Sequence, residues 1–160
     1  MPTKLSLDFF EEEKFSLVAI NTALPLYRLL FIINKQLEVS FKRLDKDLDF
    51  QYKNGQANYA IYSYFSQDYK AKAYVIANKA KLQSFHTLST GTLFNDAPTQ
   101  SFTYLLPELK AVDYLLKIEQ ENELINLKTI LSQLKSLDQI ATAFQVNQEK
   151  IKHPENLIVE

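Results

Sequence analysis

Two acids lie within an otherwise apolar stretch, "LLPELKAVDY", which spans residues 105–114. Carboxylates that meet across a turn could act as an acid and a base. The flanking residues also fit a structural role, because Pro107 forces the preceding residue to be extended and starts a single helical turn whose free amides favour Glu108. Asp113 can accept backbone amide hydrogen bonds in an Asx-like closure. We expect a structural corner at Pro107, Glu108, Asp113 and Tyr114, with a binding site there as the alternative and an acid–base pair as the third hypothesis.

The residues that other catalytic sites require are scarce in this chain. Its two glycines, Gly55 and Gly91, cannot supply a glycine-rich phosphate loop or a dinucleotide fingerprint. Its two histidines, His86 and His153, have no second histidine or cysteine at ligand spacing. No G-x-S-x-G sequence surrounds any serine. We expect no cofactor and no metal, and we favour a protein that is not an enzyme.

Alternating residues in the middle of the chain predict a meander of three strands. Asn54-Gly55 is a strong signal for a two-residue hairpin turn, which sets Tyr52 opposite Ala57. A second turn at residues 66–68 then brings a third strand alongside, and the apolar side chains of all three strands share one face.

The opposite face of this meander is the second candidate site. The predicted register places Tyr62 beside Lys72 and Tyr64 beside Lys70. Exposed aromatic residues and lysines on an open sheet can stack nucleic-acid bases, but Tyr–Lys pairs are also ordinary sheet stabilisers. Since the net charge is −1, a nucleic-acid partner is disfavoured, and this face would bind a protein or simply be covered by solvent or by a helix. The candidate residues are Tyr62, Tyr64, Lys70, Lys72 and Tyr74.

The first part of the chain predicts a strand followed by a helix. Residues 15–20, "FSLVAI", are typical of a buried strand, and residues 4–9 alternate as an additional edge strand. Thr22 can cap the helix, and Pro25 fits its first turn. Phe31 and its neighbour widen the apolar stripe of this helix, so we expect it to pack on more than one side.

The second half predicts a long loop, two strands and a helical end. Residues 82–99 show little periodicity, and strands follow around residues 102–106 and 112–118. An apolar stripe beyond Asn122 predicts a long helical region, which a capping box at residues 136–139 would divide into two helices. Residues 147–160 are polar, and we expect them to be frayed.

These elements predict an α+β domain. We expect an antiparallel sheet of about six to seven strands, with an N-terminal helix and a long C-terminal helical region packed on one face. The domain would span residues 1–146, and residues 147–160 would form a polar tail. The element order resembles the helix-grip class, in which a long C-terminal helix lies over a curved sheet and leaves an apolar cavity.

The residues 106–114, "LPELKAVDY", resemble the signature of an uncharacterised bacterial family named for the pattern I-P-E-x-x-x-V-D-Y. Leu106 replaces the first isoleucine, and every fixed residue after it matches. The segment "YRLLFIIN", from Tyr27 to Asn34, is also similar to a Tyr-Arg-Leu segment of that family. The resemblance implies a bacterial protein and no particular activity.

The composition of the chain bears on its cellular location and on its class of function. A chain of 160 residues without cysteine fits one domain in a reducing compartment, and we expect a cytoplasmic protein. The longest apolar segment contains Arg28 and Lys35 and is shorter than the roughly 20 apolar residues that cross a bilayer, so no membrane partner is expected. We expect a non-enzymatic binding or adaptor protein, or a homodimer. The alternative is a carrier of a small hydrophobic ligand, with Arg28 as a contact for an anionic group.

Overall fold

The computed structural model describes residues 15–84 and 101–159. Within these ranges the chain forms two α-helices, eleven strands and three 3₁₀ turns. The helices are α1 (Leu26–Leu37) and α2 (Leu127–Lys135). The strands are β1 (Phe15–Thr22), β2 (Lys42–Arg43), β3 (Leu48–Tyr52), β4 (Gly55–Tyr59), β5 (Ile61–Ser66), β6 (Ala71–Ala77), β7 (Lys79–Lys81), β8 (Gln83–Ser84), β9 (Phe102–Tyr104), β10 (Tyr114–Gln120) and β11 (Ile140–Gln145). The 3₁₀ turns are Pro107–Leu109, Gln148–Lys150 and Pro154–Leu157.

A six-stranded antiparallel sheet forms the centre of the described structure, in the order β11-β1-β10-β6-β5-β2. Strand β1 lies between β10 and β11. Its side chains are buried on both faces, with Leu17 in one apolar cluster and Val18 in the other. The strand predicted from "FSLVAI" is therefore confirmed, and its continuous apolar run reflects two covered faces.

Both α-helices pack on one face of this sheet. Leu29, Leu30 and Ile33 of α1 and Leu134 of α2 are buried there against β1, β6 and β10. The helix predicted near residue 26 is confirmed, although Pro25 rather than Thr22 occupies the N-cap position. The stripe of leucine and isoleucine at helical spacing explains the packing, because those side chains project from one side of α1.

The other face of the sheet is covered by a small sheet and by the C-terminal segment. The small sheet has the order β3-β4-β8. Val146, Ile151 and Leu157 are buried in the same cluster, so the fraying expected at the C-terminal end is not observed for residues 147–159. The buried Lys117 donates a hydrogen bond from Nζ to the Leu157 carbonyl at 2.9 Å and thereby ties this segment to β10. Because polar residues separate these three apolar side chains in the sequence, their burial was not predicted.

The expected fold class is wrong, because the described structure is mostly β and has no long C-terminal helical region. Helix α2 is nine residues long, and Asn126 caps it instead of Asn122. The second part of the predicted helical region is β11, which pairs with β1. Strand β1 offers a free row of backbone donors and acceptors, and satisfying that row outweighs the helical periodicity of residues 140–145. The likeness to the helix-grip class fails for the same reason.

The first hairpin forms with a register two residues from the prediction. Tyr52 lies opposite Gly55, and the turn residues are Lys53 and Asn54. Gly55 lies within β4, where a Cβ atom would come within 2.3 Å of the Gln83 carbonyl oxygen. The glycine is therefore required by the close approach of β8 and not by the turn. An even shift keeps every side chain on its predicted face.

The predicted three-stranded meander does not form, because β4 and β5 belong to different sheets. The turn between β5 and β6 extends to Lys70, which has a left-handed φ of 46°. Tyr62 consequently pairs with Val75 instead of Lys72. This shift is three residues, and an odd shift moves the side chains of one strand to the other face.

Candidate functional site

The acidic corner forms as a 3₁₀ turn at Pro107–Leu109, as predicted. Oε1 of Glu108 accepts a hydrogen bond from the Lys152 backbone amide at 2.9 Å. Oδ2 of Asp113 accepts one from the Thr22 backbone amide at 3.0 Å. Each carboxylate is therefore occupied by an amide from a distant segment. This is the arrangement of structural acceptors, and an acid–base pair would need its oxygen atoms directed at a substrate.

Asn78, which follows β6, organises this corner from inside and was not identified from the sequence. Its Nδ2 donates to the carbonyls of Leu109 and Val112, and its Oδ1 accepts from the Leu106 amide, each at 2.9 Å. Its backbone amide also donates to the Asp113 carbonyl at 3.0 Å. The side chain is fully buried. The available signal was an asparagine ending an apolar strand, which in sequence looks like an ordinary turn residue.

Asp113 and Tyr114 connect the corner to the turn that begins α1. The Tyr114 hydroxyl donates to the Leu24 carbonyl at 2.8 Å. Oγ1 of Thr22 accepts from the Leu24 amide at 3.1 Å and donates to the Gln139 carbonyl at 2.6 Å. Burial, and secondarily the charge of Asp113, raises the pKa of Tyr114 above its ordinary value, which keeps the hydroxyl a donor. The predicted corner residues thus fix the positions of Leu24 and Gln139.

Leu24 and Gln139 form part of a groove along the outward side of α1. The groove has a volume of about 640 Å³ and an apolar lining. Tyr27 is 66% exposed and Phe31 is 72% exposed. The expectation that Phe31 adds to the packed sides of α1 is therefore wrong for the described residues, since Phe31 faces solvent. The lining residues are Leu24, Tyr27, Arg28, Phe31, Ile32 and Gln139.

Arg28 is the charged residue among those that line the groove. Its side chain makes no hydrogen bond or ion pair with the residues that the structure describes. An arginine next to exposed aromatic rings offers a planar donor group for a carboxylate or phosphate. The geometry therefore places the predicted anion contact on the surface of α1.

The aromatic–lysine face predicted for the meander is not assembled. Tyr62 and Tyr64 lie on the side of the sheet that α1 covers, and the ring centroids of Phe41 and Tyr64 are 5.7 Å apart. Tyr74 packs against the opposite cluster, and Lys72 lies opposite Phe65 in the ladder. Lys70 lies in the turn. The odd register shift therefore separates the tyrosines of β5 from the lysines and the tyrosine of β6.

A second concavity lies beside β3 and is polar. Arg43 Nη2 contacts both carboxylate oxygens of Asp47, at 3.0 and 3.2 Å. This exposed pair satisfies its own charges, and surface pairs of this kind contribute little to stability. Within the described ranges no group of three or more His, Cys, Asp or Glu side chains is arranged to hold a metal ion.

No helix in the part of the chain that the structure describes is long and apolar enough to cross a membrane. The chain matches no family model, no curated protein and no solved structure.

Proposed function

We propose that the protein is a non-enzymatic binding protein and that the groove along α1 is its binding surface. The observation that carries this proposal is the exposure of Tyr27 and Phe31 on the outward side of a surface helix. That side of a surface helix is ordinarily polar. Adjoining exposed apolar side chains with a polar rim are typical of interaction sites.

Hydrogen bonds behind the groove give one of its walls a fixed shape. Leu24 is held by Thr22 and Tyr114, and the Gln139 backbone is held by Thr22. Because these contacts exist without a partner, binding would not have to order this wall of the groove. A site that is already ordered loses less conformational entropy on binding.

The proposal includes a cytoplasmic location and membership of the bacterial family with the I-P-E-x-x-x-V-D-Y signature. The absence of cysteine supports the first, and the residues from Pro107 to Tyr114 support the second. The corner formed by those residues positions the groove wall. A carrier function is not proposed, because both faces of the central sheet are packed with buried side chains in the described ranges.

Site-specific photocrosslinking in cells tests the proposal. Benzoylphenylalanine would be incorporated at Tyr27 in the groove or, as the control, at Tyr69, an exposed aromatic residue in the turn between β5 and β6. We expect an adduct of discrete mass from Tyr27 that Phe31→Ser abolishes and that co-expressed wild-type chain competes away. Equal adducts from both positions, or adducts that persist in Phe31→Ser, would contradict a binding function for the groove.

A further inference from the structure

We infer that the groove along α1 takes an acidic amphipathic segment of another protein, whose apolar side chains contact Tyr27 and Phe31 and whose carboxylate pairs with Arg28. This inference rests on the proposed function and adds the chemistry of the partner.

The spacing of the groove residues supports a partner segment of about two helical turns. Leu24, Tyr27 with Arg28, and Phe31 with Ile32 follow one another at intervals of three to four residues. At a rise of 1.5 Å per residue, the helical part of this row, from Tyr27 to Ile32, is about 8 Å long, and Leu24 extends the row before the helix begins. Apolar anchors four residues apart on a partner helix are about 6 Å apart and fit such a row.

The charge of the groove supports an acidic partner. Arg28 has no partner in the described chain, and no acidic residue lies in the first turn of α1. Lys35 is exposed two turns further along the helix. A partner carboxylate would form a bidentate, charge-assisted contact with the Arg28 guanidinium. Apolar neighbours exclude water from such a contact and strengthen it.

The same charges disfavour a second copy of this chain as the occupant. In a two-fold contact of antiparallel helices centred on Phe31, Arg28 of one copy would lie near Lys35 of the other. Two such repulsive pairs would form. Charge complementarity therefore favours a different protein.

The test uses two synthetic helical peptides of about five turns each, with identical leucine and phenylalanine anchors on one face. One peptide has glutamate on its remaining positions and the other has lysine. Both are labelled with fluorescein, and binding to the full chain is followed by fluorescence anisotropy. We expect the acidic peptide to bind about tenfold or more tightly than the basic peptide.

Two substitutions make the test specific. Arg28→Glu should reverse the preference for the two peptides, and Phe31→Ser should weaken both. Phe65→Ser is the matched control, because Phe65 is 54% exposed and does not line the groove. It should leave both affinities unchanged. Circular dichroism melting would verify that each variant is folded.

The inference fails if both peptides bind equally, or if Arg28→Glu leaves the preference unchanged. It also fails if the chain binds neither peptide but binds phosphatidylcholine vesicles that contain phosphatidylserine. A dimer of the chain that Phe31→Ser disrupts would contradict it as well. If neither peptide binds while the crosslink from Tyr27 persists, the acidic partner is wrong and the binding function stands. If the crosslink is also missing, both proposals are wrong.

Discussion

The acidic corner and the outward side of α1 differ in how completely the fold uses their side chains. At the corner, Glu108 and Asp113 accept distant backbone amides, and Asn78 satisfies three further backbone groups. On α1, Tyr27 and Phe31 are exposed, and Arg28 has no partner among the described residues. The carboxylate and amide side chains of the corner therefore serve the structure. On α1, aromatic side chains of a kind typical of a core are exposed and available for binding.

The two regions are also connected. Asp113 binds the Thr22 amide, and Tyr114 binds the Leu24 carbonyl. The corner can therefore affect binding without contacting a ligand, because it fixes one wall of the groove. Weakening the corner should lower stability first and affinity second, whereas changes to Tyr27, Arg28 or Phe31 on the outward side of α1 should affect affinity alone.

The largest expected effect is that of Asn78→Ala. The change leaves the Leu106 amide and the Val112 carbonyl buried without this partner, and each such group costs about 1–3 kcal/mol. The Leu109 carbonyl also loses a donor but still accepts a hydrogen bond from the Val112 amide. We expect the free energy of unfolding, measured by urea denaturation, to fall by about 3 kcal/mol or more. Asn54→Ala in the exposed turn is the control and should change it by less than about 0.5 kcal/mol. A small effect of Asn78→Ala would mean that contacts other than those of the Asn78 side chain stabilise the corner.

Asp113→Ala should lower the free energy of unfolding by about 2 kcal/mol. The carboxylate is the acceptor for the Thr22 amide, and Thr22 is buried. Asp45→Ala removes an exposed acid and provides the comparison in the same urea titration. If Asp113→Ala is as stable as wild type, Asp113 is not a structural residue and the binding hypothesis for the corner regains support.

Tyr114→Phe should lower stability by about 1 kcal/mol at neutral pH, because the hydrogen bond to the Leu24 carbonyl is lost. Burial raises the pKa of Tyr114 in the folded chain, so the unfolded chain ionises first as pH rises. Wild-type stability should therefore be intact below pH about 10 and fall above it.

In Tyr114→Phe the fall above pH about 10 should be shallower, and Tyr59, whose pKa is also raised by burial, accounts for part of what remains. Chemical denaturation at several alkaline pH values measures each slope. Identical slopes for wild type and Tyr114→Phe would contradict a role for Tyr114 ionisation.

The smallest expected effect on stability is that of Phe31→Ser. The side chain is 72% exposed, so we expect a change within about 0.5 kcal/mol despite the loss of a large apolar group. Its neighbour Leu30 is 2% exposed, and Leu30→Ser should cost several kcal/mol in the same assay. If Phe31→Ser were as destabilising as Leu30→Ser, Phe31 would belong to the core and the groove would lose its basis.

Hydrophobic spacing predicted the elements whose pattern is unambiguous. The continuous apolar run of β1, the stripe of α1 and the turn begun by Pro107 all lie where they were expected. The acceptor role of Asp113 was also predicted, although the amide that it binds comes from Thr22 and not from its own turn. In these cases neighbouring residues are enough to predict the structure, because few other conformations fit them.

The remaining features depend on contacts between distant residues. Strand β11 takes its conformation from the free edge of β1, and the register of β5 depends on the left-handed Lys70. The groove was hidden because Phe31 looks like a core residue in sequence, and only the described fold shows that nothing covers it. The partners of Asn78 likewise lie about 30 residues along the chain, beyond local patterns.

The position of β1 also has a consequence for how the chain folds during synthesis. Ala19 pairs with Leu115 on one side and with Phe144 on the other, so both neighbours of this central strand are made roughly a hundred residues later. Until then the apolar "FSLVAI" run has neither of its strand partners and is prone to aggregate. We therefore expect the nascent chain to remain dependent on chaperones until β11 has left the ribosome.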